Sequence, residues 1–571
     1  MPAERLRSQL ARTAAELGAP SDVDVQVERP GNPEHGDLTT NLAMLLARPL
    51  GRAPRDIAAD ILARMDTAEA GVASASIAGP GFINFRLAAE RVQDDLAALV
   101  SADGAYGRSA EGRAAPIVVE WVSANPTGPL HFGHGRQAAL GDAVCRLLEL
   151  TGWQVHREFY YNDSGRQMEL LAQSVRARYE QLLGVDAPFP EEGYHGEYVR
   201  EIAAAFRDEH GKAHAGREDA ATLAAMRQFA VELLRAEQDR DLNDFRVRFD
   251  QHYLESSLYE EGRVATTIAA LRETGLVYEH EGATWLRTTE FGDQKDRVMV
   301  RGDGNPTYFL PDVAYHLTKW ERGFHHAVNV QGSDHHGTVV RVRAGLRALG
   351  LPEGYPEYVL HQMVRLERGG REVKISKRAG AYTTLRELYD EVGVDVARYF
   401  FLMRKPEAQL LFDLDQALDR SEKNPVYKIQ YAHARMSSIF GKAGVAPEVA
   451  DPAAADLSLL AHETERELVR ALTEFPDTVS TAARLRAPHL LCDYLERMAG
   501  LVNSWYHAGN PSRNPELAVL VEDPALRQAR LVLTRAVRIV LRNGLAALGL
   551  TAPDRMDRNG EPPPQEDEAT A

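Results

Sequence analysis

Apolar positions along this chain follow two different periods, and the change from one to the other divides it. Residues 5–17 and 38–50 repeat apolar side chains at helical spacing, whereas 72–77 and 82–85 alternate or run apolar around Gly79-Pro80-Gly81. The first hundred or so residues are therefore expected to form a small α+β unit, with 30–37 as a loop. Residues 102–115 are small, polar and glycine-containing, which predicts a linker. From Pro116 the grammar changes. Ile117-Val118-Val119 begins a run typical of a strand buried on both faces. A Gly/Pro-rich loop and a helix over about 133–150 follow it. Strand, loop and helix in that order open an α/β sheet that binds ligands at its strand ends. Residues 195–245 read as charged helices inserted into this unit. Strands return at 327–331 and 358–366. After Asn424 only amphipathic helices are predicted, over 427–440, 459–475, 485–508 and 525–548, so the chain closes on a helical bundle. The Pro/Glu/Asp-rich segment 557–571 is expected to be disordered.

Composition narrows the class. The chain has 571 residues, 44% of them hydrophobic and 26% charged, as expected of a globular protein of several domains. No run approaches the ~20 uncharged residues of a membrane span, and the first residues lack the apolar block of a signal peptide. Two cysteines, Cys145 and Cys492, offer neither a disulfide framework nor a thiolate metal site. A cytoplasmic protein with no membrane partner is the expectation, and a monomer the expected assembly. The net charge of −17 argues against indiscriminate binding to DNA or RNA, because a polyanion is repelled at long range. Local basic patches remain. Residues 361–380 hold six Lys/Arg against two Glu. Arg527, Arg535, Arg538 and Arg542 fall within about 80° of one helical face at ~100° per residue, as either a solvated stripe or an RNA-facing one.

Three segments carry candidate chemistry. In Leu130-His131-Phe132-Gly133-His134 the strand–loop–helix context puts two histidines at a helix start. A helix N-terminus offers unpaired N–H groups that suit phosphate, Gly133 leaves room for a flat ring on the backbone, and His131 and His134 share a face. Alone, such a motif more often marks a capped helix with surface histidines; the preceding strand and the later lysine segment reverse that reading. In Lys374-Ile375-Ser376-Lys377-Arg378, preceded by Gly369-Gly370 and followed by Gly380, two lysines sit in a glycine-flanked loop. They could clamp an anionic leaving group in the transition state. In Gln331-Gly332-Ser333-Asp334-His335-His336, Asp334 could accept both hydroxyls of a ribose at a strand end. The four histidines at 325, 326, 335 and 336 could instead hold a metal, but no cysteine set or H-E-x-x-H helix supports one.

Together and in this order, the histidine and lysine segments resemble the two signatures of class I aminoacyl-tRNA synthetases. Longer stretches sharpen the resemblance to the arginyl-tRNA synthetase family. They are NPEHGDLTTNLAM and AGPGFINF before residue 90, EWVSANPTGPLHFGHGR, YNDSGRQ, YFLPDVAYH and DVARYFFLMR in the middle, and NPVYKIQYAHAR from Asn424. The resemblance implies a multidomain α/β protein. Residues 1–105 would be an N-terminal tRNA-binding domain, 106–423 a Rossmann-like catalytic domain, 424–556 an anticodon-binding bundle and 557–571 a tail. It implies ATP contacts from His131, Gly133, His134, Gly332, Asp334, His335, Lys374, Ser376 and Lys377, with His131, His134, Lys374 and Lys377 catalytic. Tyr308 and Asp312 would hold a guanidinium, a planar fork best matched by a carboxylate and aromatic edges, with Glu255 beside them. Glu120, Ser123 and Asn125 would surround the amino and carboxylate groups. Arg535, Arg538 and Arg542 would face tRNA. The implied partners are ATP with Mg2+, L-arginine and tRNA(Arg). The implied reaction forms arginyl-adenylate and then esterifies the terminal ribose, the first step depending on bound tRNA. The family pattern ends its lysine signature in Ser, and Arg378 stands there. A cysteinyl-type synthetase would need a zinc-ligating cysteine set. A nucleotidyltransferase would not need the long helical region after the core. A non-catalytic paralogue would have lost histidines or lysines that this chain retains.

Overall fold

The computed structural model describes residues 2–556 apart from 21, 22, 29, 31, 164, 374–383 and 511. The lysine loop's Lys374, Ser376 and Lys377, and the tail 557–571, lie outside the described residues.

Five parallel strands form the central sheet: β1 (Pro116–Glu120), β2 (Gln154–Tyr161), β3 (Gln251–Leu254), β4 (His326–Gly332) and β5 (Glu357–His361). Their order across the sheet is β5-β4-β1-β2-β3. The chain steps outward from β1 through β2 to β3, then returns to the other side of β1 to lay down β4 and β5. That reversal opens a crevice between the carboxyl ends of β1 and β4, the place where open parallel sheets bind ligands. Ile117, Val118 and Val119 are buried, as a central parallel strand requires. The helix Phe132–Leu150 covers one face, and Gln137 Nε2 ties it to β4 by donating to Val330 O at 2.6 Å.

Helices Arg166–Leu182, Glu197–His210 and Ala220–Asp244 fill the crossover between β2 and β3 around an apolar cluster of their own. The insertion thus begins well before residue 195. Its first helix begins at Arg166, within the YNDSGRQ stretch, which reads as a motif rather than as a helix start. Two small sheets were not anticipated. One joins Val277–His280, Ala283–Leu286 and Arg297–Val300. The other joins Val364–Arg368, Arg371–Glu372 and Leu410–Asp413, so the single strand expected over 358–366 is two, broken at Gln362–Met363.

Residues 6–85 contribute a separate core. There the expected helix over 38–50 is a short strand, Leu38–Thr40, followed by the helix Leu42–Leu50. Thr39 and Thr40 pair with Asn84 and Ile83, and β-branched residues favour that choice despite the helical apolar spacing. The expected linker over 102–115 is packed instead. Helix Ala89–Ala102 lies against the C-terminal helices, Tyr106 is buried with its hydroxyl donating to Leu472 O at 3.2 Å, and Ser109 N donates to Leu150 O at 2.9 Å.

The C-terminal bundle comprises Pro425–Ala443, Glu463–Thr473, Phe475–Arg484, His489–Ala508 and Pro524–Ala547. Asn424 starts it as a side-chain cap, accepting from Val426 N at 3.0 Å with proline at the first helical position. One apolar core runs from the central sheet into this bundle. At their seam the fully buried Arg398 pairs with Asp142 of the histidine helix, donates to Phe245 O at 2.9 Å and donates to Leu548 O at 3.1 Å. Among the described residues, no helix is long and apolar enough to cross a membrane.

Candidate active site

The turn after β1 is strained. Val122 and Ser123 adopt φ of 65° and 41°, uncommon for any side chain and costly for a β-branched one. The buried Trp121 holds the turn down against the bare Cα of Gly141, where an added Cβ would come within 2.2 Å of its ring. The strain swings Ser123 back over the strand end, where its Oγ donates to Glu120 Oε1 at 3.0 Å and accepts from Tyr160 N at 3.2 Å. Glu120 is buried, and Lys319 Nζ at 2.6 Å and Asn329 Nδ2 at 2.8 Å both donate to its Oε2. Both its oxygens are therefore engaged by groups of the protein, one of them by Ser123. Asn125 donates to Gln167 Oε1 at 2.7 Å.

His131 is the N-cap of Phe132–Leu150 and His134 lies one turn in. Their rings stack with centroids 3.7 Å apart, and His131 N donates to His134 Nδ1 at 3.3 Å. With Nδ1 accepting, neutral His134 carries its proton on Nε2, which makes that nitrogen the donor. At Gly133 an added Cβ would come within 2.9 Å of the His131 imidazole, so the glycine also leaves room for the stacked histidines.

Across the crevice, β4 ends at Gly332, and an added Cβ there would lie 2.4 Å from Asp334 Oδ1. The glycine lets the carboxylate fold over the strand end. Asp334 is 83% exposed at its side chain, and its Oδ2 lies 3.8 Å from His335 Nε2. Ser333 Oγ donates to Gln362 Oε1 at 3.2 Å, and the adjoining Met363 is 79% exposed. That apolar side chain standing in solvent beside the crevice had no signal in the periodicity.

The lysine loop is located by its flanks. Gly369 and Gly370, both at positive φ, turn Val364–Arg368 into Arg371–Glu372, and Val373 N donates to Leu366 O at 2.8 Å. On the far side Thr384 forms an antiparallel bridge with His131, and Leu385 N donates to Leu130 O at 2.8 Å. The backbone leaving the lysine loop is thus hydrogen-bonded to the backbone entering the histidine helix.

Beside the strand ends lies an acidic pocket. Tyr308 is 74% exposed and precedes the helix Phe309–Glu321, and Asp312 sits one turn along on the same side. Glu255 begins the helix Glu255–Glu260 and accepts from Tyr160 Oη at 3.0 Å. Among the described residues no cation forms an ion pair with Asp312 or Glu255, and Arg341 acts on Asp312 only at longer range. Burial first, then the Glu255 and Glu120 carboxylates, push the Asp312 carboxyl up to about 7. Glu255 is raised too, chiefly by burial. Two carboxyls held short of a cation make a pocket for a cation with several donors. Tyr160 was missed in the sequence, although it lies one residue before the YNDSGRQ stretch.

The arginines of the stripe have partners within the chain. Arg535 donates to Ala450 O at 3.2 Å, Arg538 pairs with Asp554 at 2.7 Å and donates to Ser437 Oγ at 2.8 Å, and Arg542 pairs with Asp103. These side chains pin the bundle to its own loops and to the segment before β1, because carbonyl and carboxylate acceptors converge on that face. A second, half-buried cluster lies on the first helix of the bundle. Tyr427 and Tyr431 stack at 5.6 Å and 10°, and Arg435 covers Tyr431 at 4.6 Å and Tyr506 at 4.5 Å. The spacing 427, 431, 435 along one helix was the available signal.

Paired histidines and an exposed carboxylate at the switch point of a parallel sheet, with Thr384 bridged to His131 just after the lysine segment, fit the site of a class I aminoacyl-tRNA synthetase. Residues 95–411 match the family model for the class I (R) tRNA synthetase catalytic domain, 4–87 that for the arginyl tRNA synthetase N-terminal domain and 429–556 that for the DALR anticodon binding domain. The chain is 50% identical over 564 residues to the arginine–tRNA ligase of Thiobacillus denitrificans, covering 96% of this chain and 99% of that one. It is 50% identical over 566 residues to that of Bordetella pertussis, covering 97% and 99%. The arginyl-tRNA synthetase structure from Thermus thermophilus superposes with a TM-score of 0.76 at 25% identity, covering 97% of this chain and all of that one. The chain belongs to the arginyl-tRNA synthetase family.

Proposed function

We propose that this chain joins L-arginine to tRNA(Arg) with ATP as the energy source, with the residues described above in the following roles. The guanidinium enters the pocket of Asp312, Glu255 and Tyr308, its donors meeting two carboxylates and an aromatic edge. Ser123, held by Glu120, and Asn125 orient the amino and carboxylate groups. ATP lies across the crevice between β1 and β4, with its ribose hydroxyls on Asp334, the adenine side towards Gly332, His335 and Met363, and its α-phosphate at the start of Phe132–Leu150. The carboxylate oxygen of arginine attacks the α-phosphorus, a new P–O bond forms, and the bond to pyrophosphate breaks. The substrate carboxylate is already ionised, so this step needs no general base. Its barrier falls through positioning and through donors from His131, His134 and the helix start to the oxygens that gain charge. Lys374 and Lys377, with Ser376, hold the departing pyrophosphate. A hydroxyl of the terminal ribose of tRNA then attacks the activated carbonyl and AMP leaves.

The magnesium that accompanies ATP neutralises phosphate charge. The triphosphate carries that ion, as is usual for magnesium bound with a nucleotide. The Tyr427–Tyr431–Arg435–Tyr506 face is the proposed base-stacking platform for tRNA. Division into 1–105, 106–423 and 424–556, a monomeric state and a cytoplasmic location complete the proposal.

The observation that carries this reading is the bonding of Thr384 and Leu385, which follow the lysine segment, to His131 and Leu130 at the switch point, with a carboxylate pocket that holds no cation among the described residues alongside. Labelled arginine incubated with ATP and tRNA should become acid-precipitable, and periodate oxidation of the terminal ribose of that tRNA should abolish the signal. Equal labelling of periodate-treated tRNA would refute the proposal.

A further inference from the structure

The segment entering the histidine helix is held at two places, and both holds trace to one helix of the insertion. Ala220–Asp244 places Gln238, Asp241 and Asp244 at spacings of three, on one side of its last two turns. Gln238, fully buried, donates through Nε2 to Gly128 O at 2.9 Å and to Asn125 O at 3.3 Å, fixing the loop after β1. Asp241 and Asp244 receive the two arms of one guanidinium: Arg386 Nε donates to Asp241 Oδ1 at 2.7 Å, and Arg386 Nη2 bonds Asp244 Oδ2. Tyr389 Oη donates to Asp241 O at 3.4 Å, and the Arg386 guanidinium lies over the Tyr389 ring at 5.3 Å. Arg386 is in the first turn of Leu385–Val392, a helix closed at its start by the reciprocal bonds of Thr384 and Glu387. It is through Thr384 and Leu385 that this helix start bonds His131 and Leu130.

We infer that Arg386, clamped by Asp241 and Asp244, is a positioning residue for adenylate formation: it sets His131 and His134 against the reacting phosphate without touching substrate. The inference rests on the proposed function. The geometry favours this over a mere surface ion pair. The fork is bidentate across two carboxylates, Asp241 is buried, and the same helix grips the other end of the loop through Gln238. If the helix lost its hold on Arg386, the stack of His131 on His134 would remain but its backbone support would be free to shift. A displacement of about 1 Å at such a site costs on the order of a hundredfold in rate.

The test compares the full-length chain with Arg386→Ala, Arg386→Lys, Asp241→Asn and the Arg386→Ala/Asp241→Asn pair. Arginine-dependent pyrophosphate exchange is followed in the presence of tRNA. Arg386→Ala is expected to lower kcat at least tenfold while KM for arginine stays within twofold. Asp241→Asn should lower kcat as well. The pair should lose no more than Arg386→Ala alone, because both changes break one link. Arg386→Lys should recover part of the rate. Melting temperatures and tRNA affinities of all four are measured together, since a purely structural role would lower kcat only in step with them. Arg386→Ala retaining more than half of kcat would overturn the inference, as would additive losses in the pair or losses that merely follow the melting temperature. A parent protein inactive with arginine would instead bring down the proposed function, and the clamp with it.

Discussion

Replacing Asp312 by Asn tests the pocket at its most informative atom. The substitution keeps the shape and removes the charge. Burial and then the Glu255 and Glu120 carboxylates push the Asp312 carboxyl up to about 7, with Arg341 opposing at a distance and Tyr160 engaged on Glu255. Arginine is cationic throughout this range, so it requires the ionised carboxylate. The sign follows: binding is at full strength above pH 7 and weakens as pH falls through 7, because each ligand must displace a proton. One competing proton raises KM for arginine by about tenfold between pH 8 and pH 6. In Asp312→Asn the guanidinium loses that partner inside the pocket. Breaking a buried pair costs ~3–5 kcal/mol, and the neighbouring Glu255 places the loss at about 3. That is roughly 150-fold in kcat/KM for arginine. Steady-state arginylation from pH 6 to 8.5 with saturating ATP reads both effects. The variant should lose the factor in kcat/KM together with the tenfold slope below pH 7, while KM for ATP changes little. A variant within twofold of the parent, or one that keeps the slope, would refute the assignment of the cation site.

Two further outcomes follow from contacts outside the pocket. Arg398→Met leaves Asp142 buried with only Arg146, at 2.7 Å, for a partner, so urea denaturation should show a loss of about 3 kcal/mol; a loss below ~1 kcal/mol would mean that the seam is held by apolar packing alone. Tyr431→Ala should weaken tRNA binding by ~1–3 kcal/mol with an unchanged salt dependence, as expected for a stacked base rather than a phosphate contact; unaltered affinity would remove the platform.

The parts of this molecule legible in the sequence are those in which a short segment carries both its structure and its chemistry. Ile117–Val119 could only be a buried strand, and the single glycine and two histidines of 131–134 announced the helix start that follows it. What stayed hidden depends on groups brought together from distant segments. Nothing in Lys319 or Asn329 foretold that they would fill the Glu120 carboxylate, and the spacing of Arg535, Arg538 and Arg542 did not show that Ala450, Asp554 and Asp103 would be among their partners. The 38–50 segment failed for a local reason: its apolar spacing suits a helix, while its threonines were drawn into pairing with Asn84 and Ile83. The small polar composition of 102–115 suggested a free linker because the packing of Tyr106 under Leu472 is a tertiary fact.

The central claim is that the crevice between β1 and β4 activates arginine and that the acidic pocket selects it. Pyrophosphate exchange measured separately with each of the twenty amino acids, with and without tRNA, tests it most directly. The account predicts exchange with arginine alone, and only when tRNA is present. Exchange driven by lysine or any other amino acid, or none with arginine and tRNA together, would contradict it.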